Sequence, residues 1–222
     1  MKRLFALLFA LIFAAAPASA LTPDRRNPDA AGKLVALTFD DGPHKEYTRQ
    51  ILDILDGFGV KATFFIVGSN AKAYPDRIKM IADRGHELGN HTYDHVWINK
   101  IGEEELIRQI RDTEEEIFSV TGIRPRVFRP PYGAYSEASV ETVRRLGYRC
   151  VLWSQDSRDW QLPPAEKIVG SITDGCKNGD ILLFHDYNLK NSPTPRALRE
   201  LIPRLLDKGY RFVTVSELFG DC

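Results

Sequence analysis

The densest cluster of chemistry-bearing residues is His91-Thr92-Tyr93-Asp94-His95, with two imidazoles four positions apart. On a helical turn that spacing puts both rings on one face, close enough to share a cation. Thr92 stands where a metalloprotease helix of the H-E-x-x-H type carries glutamate, so that arrangement is absent. Two imidazoles need a third protein ligand, and Asp40 or Asp41 would supply a carboxylate. Two nitrogens and one oxygen around an open position suit Zn²⁺ acting on water, with Co²⁺, Ni²⁺, Mn²⁺ or Fe²⁺ as alternatives. Asp40-Asp41 is followed by Gly42-Pro43, a tight turn. In extended backbone, adjacent side chains point apart, so one carboxylate can meet a cation while the other faces a substrate. His185 closes the apolar run Ile181 to Phe184 and suits a general acid, with Asp159 available to keep it protonated. Arg129, in the stiff segment Arg129-Pro130-Pro131-Tyr132-Gly133, can fork onto a carboxylate. Each fragment alone also reads as ordinary structure: an Asp-Gly turn, satisfied histidines, a proline-rich turn with a surface arginine. His44 and His86 have no comparable setting and read as ordinary.

The elements that must position these residues alternate along the chain. Strands are expected at Leu34–Phe39, Ala62–Val67, His86–Gly89, Arg126–Phe128, Tyr148–Trp153, Asp180–Phe184 and Tyr210–Val215. Helical patterns fall between them: Ile51 to Phe58 stopped at Gly57 and Gly59, Pro75 to Asp83, Leu106 to Val120, Val140 to Leu146, Ala165 to Thr173, and Leu198 to Leu206 with Pro203 as a possible kink point. Seven near-continuously apolar strands alternating with six helices argue an α/β fold with a parallel sheet, either open and doubly wound or closed like a barrel. The unusual polar residues all come just after strands: Asp40-Asp41, His91 and His95, Arg129, Asp156 with Asp159-Trp160, and His185-Asp186. The C-terminal edge of a parallel sheet is where such folds do chemistry.

Composition bounds the rest. The chain has 222 residues, 43% hydrophobic and 27% charged, which excludes disorder and low complexity. Lys+Arg 30 balance Asp+Glu 30, so there is no bulk electrostatic case for nucleic acid. Lys2 and Arg3, the apolar run Leu4 to Ala16, and Ala18-Ser19-Ala20 read as a secretory signal covering residues 1–20, with cleavage after Ala20. The run is shorter than the roughly 20 apolar residues of a spanning helix, so no membrane span is expected once it is removed. Residues 21–33 form a short N-terminal segment ahead of a catalytic domain over 34–222, expected to be monomeric and exported to the periplasm or the medium. Cys150, Cys176 and Cys222 are an odd set with no C-x-x-C pair, so one thiol is left over if any two are bonded.

The motifs, in order, resemble the polysaccharide deacetylase family, also called the NodB homology domain or carbohydrate esterase family 4. They are Thr38-Phe39-Asp40-Asp41-Gly42-Pro43, His91-Thr92-x-x-His95, Arg129-x-Pro131-Tyr132-Gly133, Asp156-x-x-Asp159-Trp160 and Leu183-x-His185, within a match from about Leu34 to Leu218. The resemblance implies a distorted (β/α) barrel with about seven parallel strands. It implies Asp41, His91 and His95 as ligands of one divalent metal, zinc before cobalt or another transition ion. It implies Asp40 as general base, His185 as general acid, Arg129 orienting Asp40 and Asp159 orienting His185. The Tyr132 backbone N–H would meet the oxyanion, and Trp160 and Leu183 would line the acetyl pocket beside Tyr132. The implied reaction removes N-acetyl groups from an N-acetylglucosamine polysaccharide: peptidoglycan, chitin oligomers or poly-N-acetylglucosamine. Its rivals are an O-acetyl (xylan-type) esterase on the same site, a glycan-binding protein without catalysis, and a purely structural metal site.

Overall fold

The computed structural model describes residues 21–187 and 191–220. The expected signal at residues 1–20 lies outside them, as does Cys222. Cys150 is buried, Cys176 half-buried, and the two are not joined to each other.

The strands are β1 (Leu34–Asp40), β2 (Thr63–Ile66), β3 (Glu87–Asn90), β4 (Val127–Phe128), β5 (Arg149–Cys150), β6 (Gln155–Asp156), β7 (Asp180–His185) and β8 (Arg211–Val213). The helices are α1 (Tyr47–Phe58), α2 (Gly68–Ala73), α3 (Pro75–Asp83), α4 (Glu103–Thr121), α5 (Glu137–Arg145), α6 (Ala165–Gly175), α7 (Thr194–Asp207) and α8 (Val215–Phe219). All strand pairs are parallel, in the order β5-β4-β3-β2-β1-β7-β6, with β8 beside β1. The sheet curls into a distorted (β/α) barrel that strand pairing leaves open between β5 and β6. β7 takes one edge of β1 for nearly its whole length; β8 and β2 divide the other, β8 at Leu34–Ala36 and β2 at Thr38–Phe39.

Several elements differ from the sequence reading. The expected strand Tyr148–Trp153 shrinks to Arg149–Cys150, and pairing resumes at Gln155–Asp156 against β7, a two-residue strand that carries no periodicity of its own. The last strand stops at Val213, where Thr214 caps α8 by accepting from the Glu217 N–H. Helix α2 was not expected. Helix α1 runs through Gly57 and stops at Gly59, whose φ of 65° suits a residue without Cβ. Helix α7 is one element through Pro203. Residues 21–33 are more than a lead-in. The Asp24 N–H donates to Cys150 O at 2.9 Å, Asp24 O accepts from Leu152 N–H at 2.7 Å, and Asn27 N–H reaches Gly179 O at 3.0 Å. The N-terminal segment thus satisfies the exposed edge of β5 and reaches the start of β7.

Strand alternation decides which residues see the barrel interior. On β1, Val35, Leu37 and Phe39 join Phe64, Ile66, Leu182 and Phe184 in the core packed under the helices. Leu34 and Ala36 face inward with Phe65, Val127, Val151 and Ile181. The inward series of β1 therefore continues to Thr38 and Asp40, and that of β7 runs Ile181, Leu183, His185. Asp40 and His185 are register partners, so the two strands deliver them side by side at the C-terminal edge.

Candidate active site and metal centre

Arg129 is a fully buried cation just past β4. Its Nη1 donates to Asp40 Oδ1 at 2.7 Å and Thr38 Oγ1 at 2.8 Å, and its Nη2 donates to Leu152 O at 3.0 Å. Its guanidinium lies 4.1 Å from the Phe65 ring centroid. A buried charge is tolerable only when paired and hydrogen-bonded, and these contacts serve Nη1 and Nη2, while Nε has no hydrogen-bond partner among the described residues. They pin one oxygen of Asp40 and leave Oδ2 turned toward His91, 3.8 Å from Nε2.

Asp41 Oδ1 lies 3.4 Å from His91 Nε2 and 3.0 Å from His95 Nε2, and one ligand atom from each of the three residues lies within 4.8 Å of the others. His91 Nδ1 donates to Arg129 O at 2.7 Å, which fixes the tautomer and leaves the Nε2 lone pair available to a cation. Burial pushes the Asp41 carboxyl up, but hydrogen bonds to His91 and His95 outweigh it and hold it well below the usual carboxylate range. A carboxylate and two imidazoles with converging donor atoms fit a borderline transition cation such as zinc.

Two expectations about this cluster need correction. His91 and His95 are not on a helical turn: they sit in the loop after β3, and Thr92 (φ 64°) and His95 (φ 53°) adopt left-handed backbone that brings the rings together, centroids 5.0 Å apart. Nor do the adjacent aspartates diverge. Asp41 has φ 72°, which breaks the strand alternation, and both carboxylates face the same cleft.

Beside Asp40 on the paired strand, His185 Nδ1 donates to Asp159 Oδ1 at 2.7 Å. Asp159 is fully buried, and its Oδ2 accepts from the His185 N–H at 2.9 Å and from Thr194 Oγ1 at 2.5 Å. Burial pushes the His185 imidazole down, but the Asp159 hydrogen bond and the charges of Asp159, Asp41 and Asp40 lift it to about 9. The group is therefore a proton donor at neutral pH.

A cleft of about 450 Å³ joins these groups, lined by Asp40, Asp41, His91, His95, His185, Tyr132, Trp160 and Leu183, together with Trp153 and Asp156. Every residue expected at the surface of the site is there, with Arg129 and Asp159 behind it. Tyr132 has φ 60°, and its ring stacks on Trp97 at 4.1 Å and meets His95 edge-on at 4.5 Å. Sequence reasoning gave no role to Trp97, Trp153, Thr38, Thr194 or Asp186. Trp97 lies two positions after His95, which is the only signal that would have found it. His86 is a core residue pushed down to about 4 by burial, and His44 sits outside the cleft lining.

Residues 27–151 match the family profile described as Polysaccharide deacetylase. A peptidoglycan-N-acetylglucosamine deacetylase of Bacillus cereus is 43% identical over 84% of this chain and 88% of its own. A crystal structure of the Bc1960 peptidoglycan N-acetylglucosamine deacetylase superposes with TM-score 0.85 at 38% identity, covering 90% of this chain and 92% of that one. A family 4 acetyl xylan esterase from Clostridium thermocellum, in complex with a cobalt ion, superposes with TM-score 0.79 at 36% identity, covering 85% and 91%. No helix among the described residues is long and apolar enough to cross a membrane.

Proposed function

Because the chain belongs to the polysaccharide deacetylase family, whose members are hydrolases, we propose that it removes the acetyl group from N-acetylglucosamine units of a cell-wall polysaccharide, peptidoglycan first, with chitin oligomers and poly-N-acetylglucosamine as further candidates. Asp41, His91 and His95 would hold one divalent cation, zinc by donor set. What such an ion supplies when bound is Lewis-acid polarisation of a water and of the amide carbonyl. Asp40 Oδ2 takes a proton from the attacking water while Arg129 keeps Oδ1 in place. The Tyr132 backbone N–H donates to the carbonyl oxygen as charge develops on it. His185 hands its proton to the departing sugar nitrogen, which otherwise would leave as an amide anion. Asp159 holds the imidazole in register and charged until that moment. Acetate and a free amino sugar result. Trp160 and Leu183 close the space around the acetyl methyl.

The observation that carries this reading is the pair of dyads, Asp40–Arg129 and His185–Asp159, whose Asp40 and His185 are register partners on neighbouring strands beside the three-residue cluster. Base and acid sit in different electrostatic surroundings and can work at one pH. The likeness to an acetyl xylan esterase supports a second reading, O-deacetylation by the same groups. Acetate release from peptidoglycan fragments, N-acetylglucosamine oligomers and acetylated xylan, with chelator and with added zinc, separates the two. Release from the N-acetyl substrates that needs metal is expected; release unchanged by Asp40→Asn would refute the catalytic assignment. We also infer export directed by residues 1–20, tested by fractionating cells for the mature chain.

A further inference from the structure

Asp186 follows His185 at the end of β7 and takes no part in the chemistry above, yet it is fully buried. Its Oδ2 accepts from Thr48 Oγ1 at 2.5 Å, on the first turn of α1, and its Oδ1 has no hydrogen-bond partner among the described residues. Folded chains rarely leave a buried carboxylate oxygen unmet, so the group needs a reason. The reason is spatial. A Cβ built on Gly42 would overlap both carboxylate oxygens of Asp186. Gly42 does not have positive φ, so its lack of a side chain answers a packing need and not a backbone one. The Asp186 carboxyl fills the place where that side chain would be.

Gly42 follows Asp41, whose left-handed φ of 72° costs free energy unless its surroundings over-determine it. The turn is gripped carbonyl by carbonyl. Asp40 O accepts from the Asp186 N–H at 3.2 Å, Asp41 O from Asn70 Nδ2 at 2.7 Å, and Gly42 O from the Val67 N–H at 2.9 Å. The far end is gripped too: Thr48 Oγ1, the donor to Asp186, accepts from the His44 N–H at 2.7 Å. Asp186 therefore touches the turn by its backbone at Asp40, by its side chain at Gly42, and through Thr48 at His44.

We infer that Asp186, with Thr48, is a positioning residue for the metal carboxylate: it clamps the Asp41-Gly42 turn so that the Asp41 side chain meets His91 and His95. The inference rests on the reading of those three residues as cation ligands. A partner acting behind a ligand typically changes metal affinity about 10–100-fold when removed.

Zinc affinity, measured by competition with a chromophoric chelator, tests it on the wild type, Asp186→Ala, Asp186→Asn, Thr48→Val, Gly42→Ala and the Gly42→Ala/Asp186→Ala double variant. The apo melting temperature is read in parallel. Asp186→Ala is expected to weaken zinc binding about tenfold or more. Asp186→Asn keeps the planar shape and an acceptor for Thr48, and should stay within a few-fold of the wild type. Gly42→Ala should lose affinity alone but little more when added to Asp186→Ala, because the clash partner is gone. Wild-type affinity in Asp186→Ala, or in Thr48→Val and Gly42→Ala should that variant not fold, with only the apo melting temperature lowered, would reduce the cluster to scaffold and overturn the inference. Strictly additive losses in the double variant would also overturn it. A wild type that binds no zinc would instead refute the ligand reading on which it rests.

Discussion

Replacing Asp159 with asparagine isolates what the carboxylate does for His185. The side chain keeps its shape and an acceptor for the His185 N–H or the Thr194 hydroxyl, but the charge 2.7 Å from Nδ1 is gone. In the wild type, burial opposes the imidazolium while Asp159, Asp41 and Asp40 favour it, and the group titrates near 9. The sign follows: a histidine raised on folding is a competent acid at low pH and is lost as pH rises through about 9. Without Asp159 its hydrogen bond and charge are gone, while burial still opposes the imidazolium and Asp41 and Asp40 still favour it, so the group titrates below its wild-type value. A full return to the ordinary 6.5 would drop the protonated fraction at pH 8 from about nine-tenths to about 3%, a loss near thirtyfold in kcat from protonation alone, whereas at pH 6 that loss is under twofold. The assay is kcat for acetate release from pH 5.5 to 9.5. The alkaline limb should move down, by about 2.5 pH units for a full return to 6.5, with KM little changed. A limb that stays at the wild-type pH, or a loss equal at every pH, would refute the electrostatic role. The same pair stabilises the fold fully below pH 6.5 and progressively less as pH rises toward 9, so the melting temperatures of wild type and variant should converge at high pH.

Arg129→Met leaves the buried Asp40 carboxylate without its partner; a cost of about 3–5 kcal/mol is expected, read as a melting temperature lower by roughly 6–20 °C in calorimetry. Chelation should abolish acetate release yet leave one cooperative unfolding transition, because the apolar clusters on both faces of the sheet do not include the cation; loss of the transition would favour a structural metal instead. Trp97→Ala removes the ring stacked on Tyr132 and should lower kcat with a stability change within about 1 kcal/mol, as the side chain is 41% exposed, while Trp97→Phe should restore most of the rate.

β1 and β7 were legible because both are buried runs with apolar residues on both faces, and the chemistry-bearing residues announced themselves by falling just after strands. β6 was illegible because two residues carry no period, and its strand status comes only from Leu182 and Leu183 across the gap. The pairing of Asp24 with Val151 joins residues far apart in the chain, which no local pattern encodes. The histidine spacing pointed to two residues that the structure does bring together, but by a different backbone geometry. Left-handed residues at Asp41, Thr92 and His95, all non-glycine, carry no sequence signature, and they are what brings the three side chains together. Asp186 stands beside His185 at the strand end, but its sequence context gives it no role. Its burial depends on Gly42 and Thr48, and only the assembled barrel brings the three together.

The central claim is that Asp41, His91 and His95 gather around one cation beside Asp40 and His185. Crystals grown with zinc, measured on both sides of the zinc absorption edge, test it directly. A single anomalous peak amid those three side chains, lost in His95→Ala, is the expected result. A peak elsewhere on the chain, or none in the cleft at saturating zinc, would contradict it.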